Sequence, residues 1–269
     1  MKSHINYNNI NDITLKSIID EAFKDFLTFI GVEHFPFPEC VSINIFTDYN
    51  EKFGNKGGYF QKTDTSRKPY TLGLKRQACI AKHKPTMFHE FTHLMDFIKL
   101  CPQNKQEYIN IISEIRAKYV EHKINAEYSS LYDNHKLSSN DIMLFPYIKD
   151  EQPLSNIIDI YNNLVKSYII NYSGNDIDKP YDILTVMSYY IGFILFIEHN
   201  TDISVNYSNI IDITEPILGE GVKGLFDNRK YIPLDFAPLP EKVIKLYELI
   251  RDVCYKFYRN HYIFETFNE

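Results

Sequence analysis

The amino-acid sequence predicts an α+β fold, with a small mixed sheet in the N-terminal third and a predominantly helical remainder. Three observations predict it. Short β-like runs come first, bounded by Gly and Pro. From Pro85 onward, apolar residues recur at helical spacing in segments longer than a strand. Loops rich in Asn, Ser, Asp and Gly separate those segments.

Residues 14–30 read as an amphipathic helix, because Leu15, Ile18, Ile19, Phe23, Phe26, Leu27 and Ile30 follow a 3.6-residue period and Gly31 closes it. Pro36 and Pro38 break the chain before Val41–Phe46, a short β-like run. Gly54, Gly57 and Gly58 mark turns, and Tyr59 and Phe60 begin a further strand. Tyr70, Leu72 and Leu74 alternate with Thr71, Gly73 and Lys75, the period of a half-exposed strand. Ala78–Ala81 is expected to extend the sheet. Helices are expected near Pro85–Leu100, Gln103–Tyr128, Leu154–Ile170, Tyr181–Glu198 and Glu241–Tyr258. The expected organisation is a core over residues 1–133 and a helical subdomain over 134–269 that completes its cleft. The division is drawn in the weakly patterned stretch Asn134–Pro153.

Composition narrows the function. With 44% hydrophobic and 24% charged residues among 269, the chain can bury a core and is not of the disordered type. Its 21 Tyr and 19 Phe, with no Trp, suit rings packed inward with hydroxyls outward. A net charge of −6 without a basic face argues against a nucleic-acid partner. Cys40, Cys79, Cys101 and Cys254 are too scattered for a disulfide framework or a cysteine zinc site. The N-terminal residues lack the apolar stretch of a secretory signal, so a cytoplasmic location is the expectation. The most apolar stretch, Ile183–Ile197, falls short of the roughly 20 residues of a membrane span and reads as a core helix.

One string carries chemistry. Residues 89–93 spell H-E-F-T-H, which a chain of this composition would contain by chance about 0.02 times. On a helix, positions i and i+4 share a face with Cβ atoms roughly 5–6 Å apart, so the imidazoles of His89 and His93 can meet at one zinc ion. Glu90 is rotated roughly 100° from His89. It can therefore stand beside the metal without ligating it, and take a proton from the water that the metal activates. Met87, Phe91, Leu94 and Ile98 form an apolar stripe, and His89, His93 and Asp96 form a second one facing a cleft. The ordinary alternative is a helix with two surface histidines.

A catalytic zinc needs three protein ligands and an open position, whereas a structural one is closed by four. The next helix offers Glu107, Glu114, Glu121 and Glu127, the first three on one face. Glu114 is favoured because Ile111 and small Ala117 flank it on a packing stripe; Glu121 is its rival, and Glu107 sits among asparagines.

H-E-F-T-H, followed 21 residues later by Glu114 in the context S-E-I-R-A-K-Y, resembles the gluzincin branch of the zincin metallopeptidases. The string H-E-F-T-H-L-M-D resembles the HEFxHxxD form of anthrax lethal factor-like and Mlc titration factor-like peptidases. The resemblance covers about 30 residues. It implies a zincin-like fold and a zinc-dependent metallopeptidase, an endopeptidase acting on a peptide or protein substrate. One Zn2+ would be held by His89, His93 and Glu114, with Glu90 as general base. It further implies Asp96 as a carboxylate orienting a ligand histidine, Tyr108 as a candidate oxyanion stabiliser, and the strand near Tyr70–Leu74 as the edge that pairs with extended substrate. Two departures stand out. Asp96 and Lys99 occupy the places where metzincins carry glycine and histidine, and Lys118 replaces the aspartate of the thermolysin-type glutamate helix. Two other readings remain: a zincin-like binding module with a structural or vestigial metal, and a fold that binds no metal.

Overall fold

The structure, a computed structural model, describes residues 5–8, 10–32, 41–46, 57–62, 70–81, 84–100, 106–128, 137–144, 151–170 and 179–234. The chain divides into two compact units, Met1–Leu100 and Cys101–Glu269. The boundary expected at 133/134 and the helix expected over 241–258 lie outside the described residues.

Among the described residues, the first unit holds a four-stranded sheet and three helices. Its elements run β1 (Ile5–Asn8), α1 (Ile13–Phe29), β2 (Val41–Phe46), β3 (Gly58–Lys62), β4 (Tyr70–Lys75), α2 (Arg76–Ile80) and α3 (Pro85–Leu100). Asp12 caps α1 by accepting the Leu15 N–H at 3.1 Å, and Gly31 leaves the helix end at φ 68°. The buried face of α1 is Leu15, Ile19, Ala22, Phe23, Phe26 and Leu27, as the period requires. It meets α3 through edge-on aromatic pairs, Phe23 with Phe91 at 4.9 Å and Phe26 with Phe88 at 5.5 Å between ring centroids.

The strand order is β1-β2-β4-β3. β1, β2 and β4 are parallel, with Ile5 opposite Val41 and Val41 opposite Tyr70. β3 returns antiparallel on β4, with Gly58 opposite Leu74 and Lys62 opposite Tyr70. Two expectations are corrected here. The strand at Tyr70–Leu74 is not an edge: it lies between β2 and β3, and Leu72, Gly73 and Leu74 are buried in succession, as in an interior strand. The edge strand beside it is β3. Nor does Ala78–Ala81 extend the sheet. The chain coils into α2, which buries Ala78 and Cys79, because so short an apolar run fits one helical turn as well as a strand.

The second unit contains α4 (Gln106–Tyr128), a small hairpin β5 (Ile142–Leu144) and β6 (Glu151–Pro153), α5 (Leu154–Ile170), α6 (Lys179–Asn200), α7 (Ser208–Leu218) and α8 (Gly221–Asn228). The sequence reading did not anticipate β1, the hairpin, α7 or α8. Residues 183–200 of α6 are long and apolar enough to cross a membrane, yet 78% of them are buried inside the protein, as in a core helix. Around α6, Tyr161 stacks on Phe193 at 4.4 Å, and the His122 ring nitrogen shares a 2.7 Å hydrogen bond with the Tyr161 hydroxyl.

α4 and α6 pack closely at Gly192. A Cβ there would lie 2.4 Å from the carbonyl oxygen of Ile115 and 3.0 Å from the Lys118 Cβ. Helix propensity alone makes Gly192→Ala favourable by about 1 kcal/mol. Overpacking against rigid backbone costs about 1–3 kcal/mol and is the larger effect. Gly192→Ala is expected to destabilise the protein in urea denaturation; a stabilised variant would mean that the helices part at no cost.

Candidate metal centre

α3 starts at Pro85, whose fixed φ suits a first turn. The carbonyl of Lys84 accepts the N–H groups of Met87 and Phe88. From Met87 to Phe97 every residue is buried, not one stripe only. Met87, Phe91 and Met95 are fully enclosed. On the other side His89, Glu90 and His93 are only 8%, 5% and 7% exposed, and Asp96 is fully buried. The expected open histidine stripe is therefore nearly closed. Buried polar side chains need partners, and buried charges need them most.

The two imidazoles point at one another. Their Nε2 atoms are 3.0 Å apart, with the rings nearly perpendicular at 80°. Two nitrogens bound to one tetrahedral zinc at about 2.0–2.1 Å would stand about 3.3 Å apart. The spacing thus matches either a shared proton or a shared cation. Glu114 supplies the third group. Its carboxylate oxygen and one ring nitrogen from each histidine all lie within 4.8 Å of one another. These three residues form a cluster near enough to hold a metal ion.

Glu121 is engaged differently. It is buried, and the Lys118 ammonium donates to its Oε2 at 2.5 Å while lying 4.7 Å over the Tyr189 ring. Of the two rival glutamates, the cluster thus contains Glu114, while Glu121 pairs with the lysine that stands at the departure from the thermolysin pattern. The side chains of Glu107, Tyr108 and Glu127 lie outside the described residues.

Around the histidines, Phe60 of β3 lies 6.3 Å from the His93 ring and 4.8 Å from Phe97, between centroids. Gly58, at the start of the same strand, adjoins the Glu90 side chain. Sequence reading missed both neighbours. The tandem Gly57-Gly58 suggests only a turn, and nothing local assigns Phe60 to a histidine. Cys79 is no nucleophile: burial pushes its thiol up to about 12, which leaves almost no thiolate near neutral pH.

No protein-family model, curated protein or solved structure matches this chain.

The buried pair on α4 carries a prediction. Lys118→Met leaves the Glu121 carboxylate buried without its ammonium and is expected to destabilise the protein by about 3–5 kcal/mol. Replacing both residues with Met removes both charges and is expected to restore most of that loss. Urea denaturation of the three proteins reads the difference; equal stability of the single variant and the parent would contradict it.

Proposed function

We propose that the protein is a zinc-dependent metallopeptidase of the gluzincin type, with His89, His93 and Glu114 as metal ligands and Glu90 as general base. The observation that supports it most is the convergence of two imidazole nitrogens and one carboxylate oxygen within 4.8 Å. The donor set suits zinc, for which two imidazoles and a carboxylate are a common catalytic triad of ligands. A zinc ion bound there would polarise a peptide carbonyl and lower the pKa of a water molecule toward about 7.

The protein's own side chains do the rest. His89 and His93, one helical turn apart on α3, present their ring nitrogens to one point and need no rearrangement to do so. Glu114 adds one negative charge. Glu90 follows His89 in sequence, so the helix rotates it out of the ligand set while keeping it adjacent. Its carboxylate accepts a proton from the attacking water and returns it to the leaving amine nitrogen, so no proton is lost to solvent during the cycle. Its burial limits hydration of the carboxylate and strengthens its interaction with nearby charge. Among the described strands β3 stands at the sheet edge, the position from which a strand can pair with an extended peptide.

The burial of both histidines favours a second reading, in which a metal at the same ligands serves the fold and no substrate reaches it. Glu90 separates the two readings, since a structural site has no use for a base. Glu90→Gln is expected to retain bound zinc and to lose about 10²–10⁴-fold in turnover of fluorescently labelled casein. Undiminished turnover in that variant would overturn the mechanism. His89→Ala, His93→Ala and Glu114→Ala are each expected to lower zinc content measured by elemental analysis, whereas Glu121→Gln keeps it. Zinc content that follows residue 121 and ignores residue 114 would make Glu121 the third ligand and overturn the assignment of Glu114.

A further inference from the structure

Resting on the reading of Glu90 as the base, we propose that Gly58 is a positioning residue: its missing side chain makes the space in which the Glu90 carboxylate lies. A Cβ at position 58 would stand 2.8 Å from both Cγ and Oε1 of Glu90 and 3.0 Å from its Cδ. The optimum for non-bonded carbon contacts is about 3.5–4.0 Å, so even one methyl group overlaps the carboxylate.

Backbone freedom does not explain this glycine. The described glycines with positive φ are Gly31 and Gly219, and Gly58 is not among them. It lies in a strand, paired with Leu74, where glycine weakens the ladder and any other residue has the backbone conformation available. The requirement is spatial. One residue earlier, Gly57 meets a different neighbour, since a Cβ there would lie 3.1 Å from the Thr86 Cγ2. The two glycines let the start of β3 run close against the first two turns of α3.

A methyl group at position 58 must displace either the strand or the glutamate. The strand is held. The Gly57 carbonyl accepts the Lys75 N–H at 2.9 Å, and β3 pairs with β4 from Gly58 through Lys62. The Glu90 carboxylate ends a side chain with three rotatable bonds. It therefore moves first, away from the position that the base needs. Misplacement of a catalytic group by about 1 Å costs on the order of 10²-fold in rate. The three atoms nearest a Cβ at Gly58 all belong to Glu90, so the displacement falls first on the base and metal binding is expected to be spared.

The test compares the parent, Gly58→Ala, Glu90→Gln and the double variant, each read for zinc content, thermal midpoint and turnover of labelled casein. Gly58→Ala is expected to keep its zinc, to shift the midpoint by no more than about 4 °C, and to lower kcat about 10–100-fold with little change in KM. Adding it to Glu90→Gln is expected to change nothing further, because the residue through which it acts is already disabled. Unchanged kcat in Gly58→Ala, or an equal fall in both backgrounds, overturns the proposal. Full turnover in Glu90→Gln defeats the peptidase reading instead. Should the parent show no turnover, the crystal structure of Gly58→Ala decides: a displaced Glu90 carboxylate supports the proposal, and a displaced β3 with Glu90 unmoved overturns it. Should Gly58→Ala fail to fold, Gly58→Ala in a Glu90→Ala background is expected to fold, and its failure there overturns the proposal as well.

Discussion

Two buried imidazoles with their Nε2 atoms 3.0 Å apart constrain everything around them. At that distance the pair can share one proton or serve one cation, and two protonated rings would repel. A helix supplies the spacing, since residues four apart stack on one face. What the helix alone does not supply is a reason for both rings to be buried. The Glu114 carboxylate, within 4.8 Å of a ring nitrogen of each, completes a group of donors near enough to hold a metal ion.

The rest of the first unit supports that geometry. α3 is enclosed on all sides, so its rotation about its own axis is fixed by packing with α1 and with β3. Rotation of a helix by one residue would swing both histidines through roughly 100° and out of register. Phe88 and Phe91, locked edge-on against α1, resist such a turn from one side, while Phe60 and Phe97 resist it from the other. In the second unit α4 carries Glu114 together with Lys118 and Glu121, a buried ion pair at i, i+3. Close approach of α6 at Gly192 then limits α4 further.

Much of this was legible in the sequence, for physical reasons. The helices α1, α3, α5 and α6 carry apolar residues at helical spacing over many turns, a signal that tertiary context seldom overrides. Val41–Phe46 was legible because its β-branched residues stand after a proline break. His89 and His93 were legible as a candidate pair because two imidazoles that meet at one metal must stand one helical turn apart, and Glu114 because its neighbours Ile111 and Ala117 mark a packing stripe. The losses have equally plain causes. α2 is a single turn, too short for a period to show. Tyr70–Lys75 reads as half-exposed from its alternation, but burial depends on what covers the two sheet faces, and its interior place depends on the return of Gly58–Lys62, neither of which the strand's own residues reveal. The role of Gly58 is invisible locally, since the atom it accommodates belongs to a residue 32 positions later.

The central claim is that His89, His93 and Glu114 jointly hold one zinc ion with a coordination position left open. Zinc-edge X-ray absorption of the purified protein tests it most directly. The account predicts one zinc per chain, a shell of about four nitrogen and oxygen ligands near 2.0–2.1 Å, and the scattering signature of two imidazoles. A protein without metal, a sulfur shell near about 2.3 Å, or a third imidazole in the shell would contradict it.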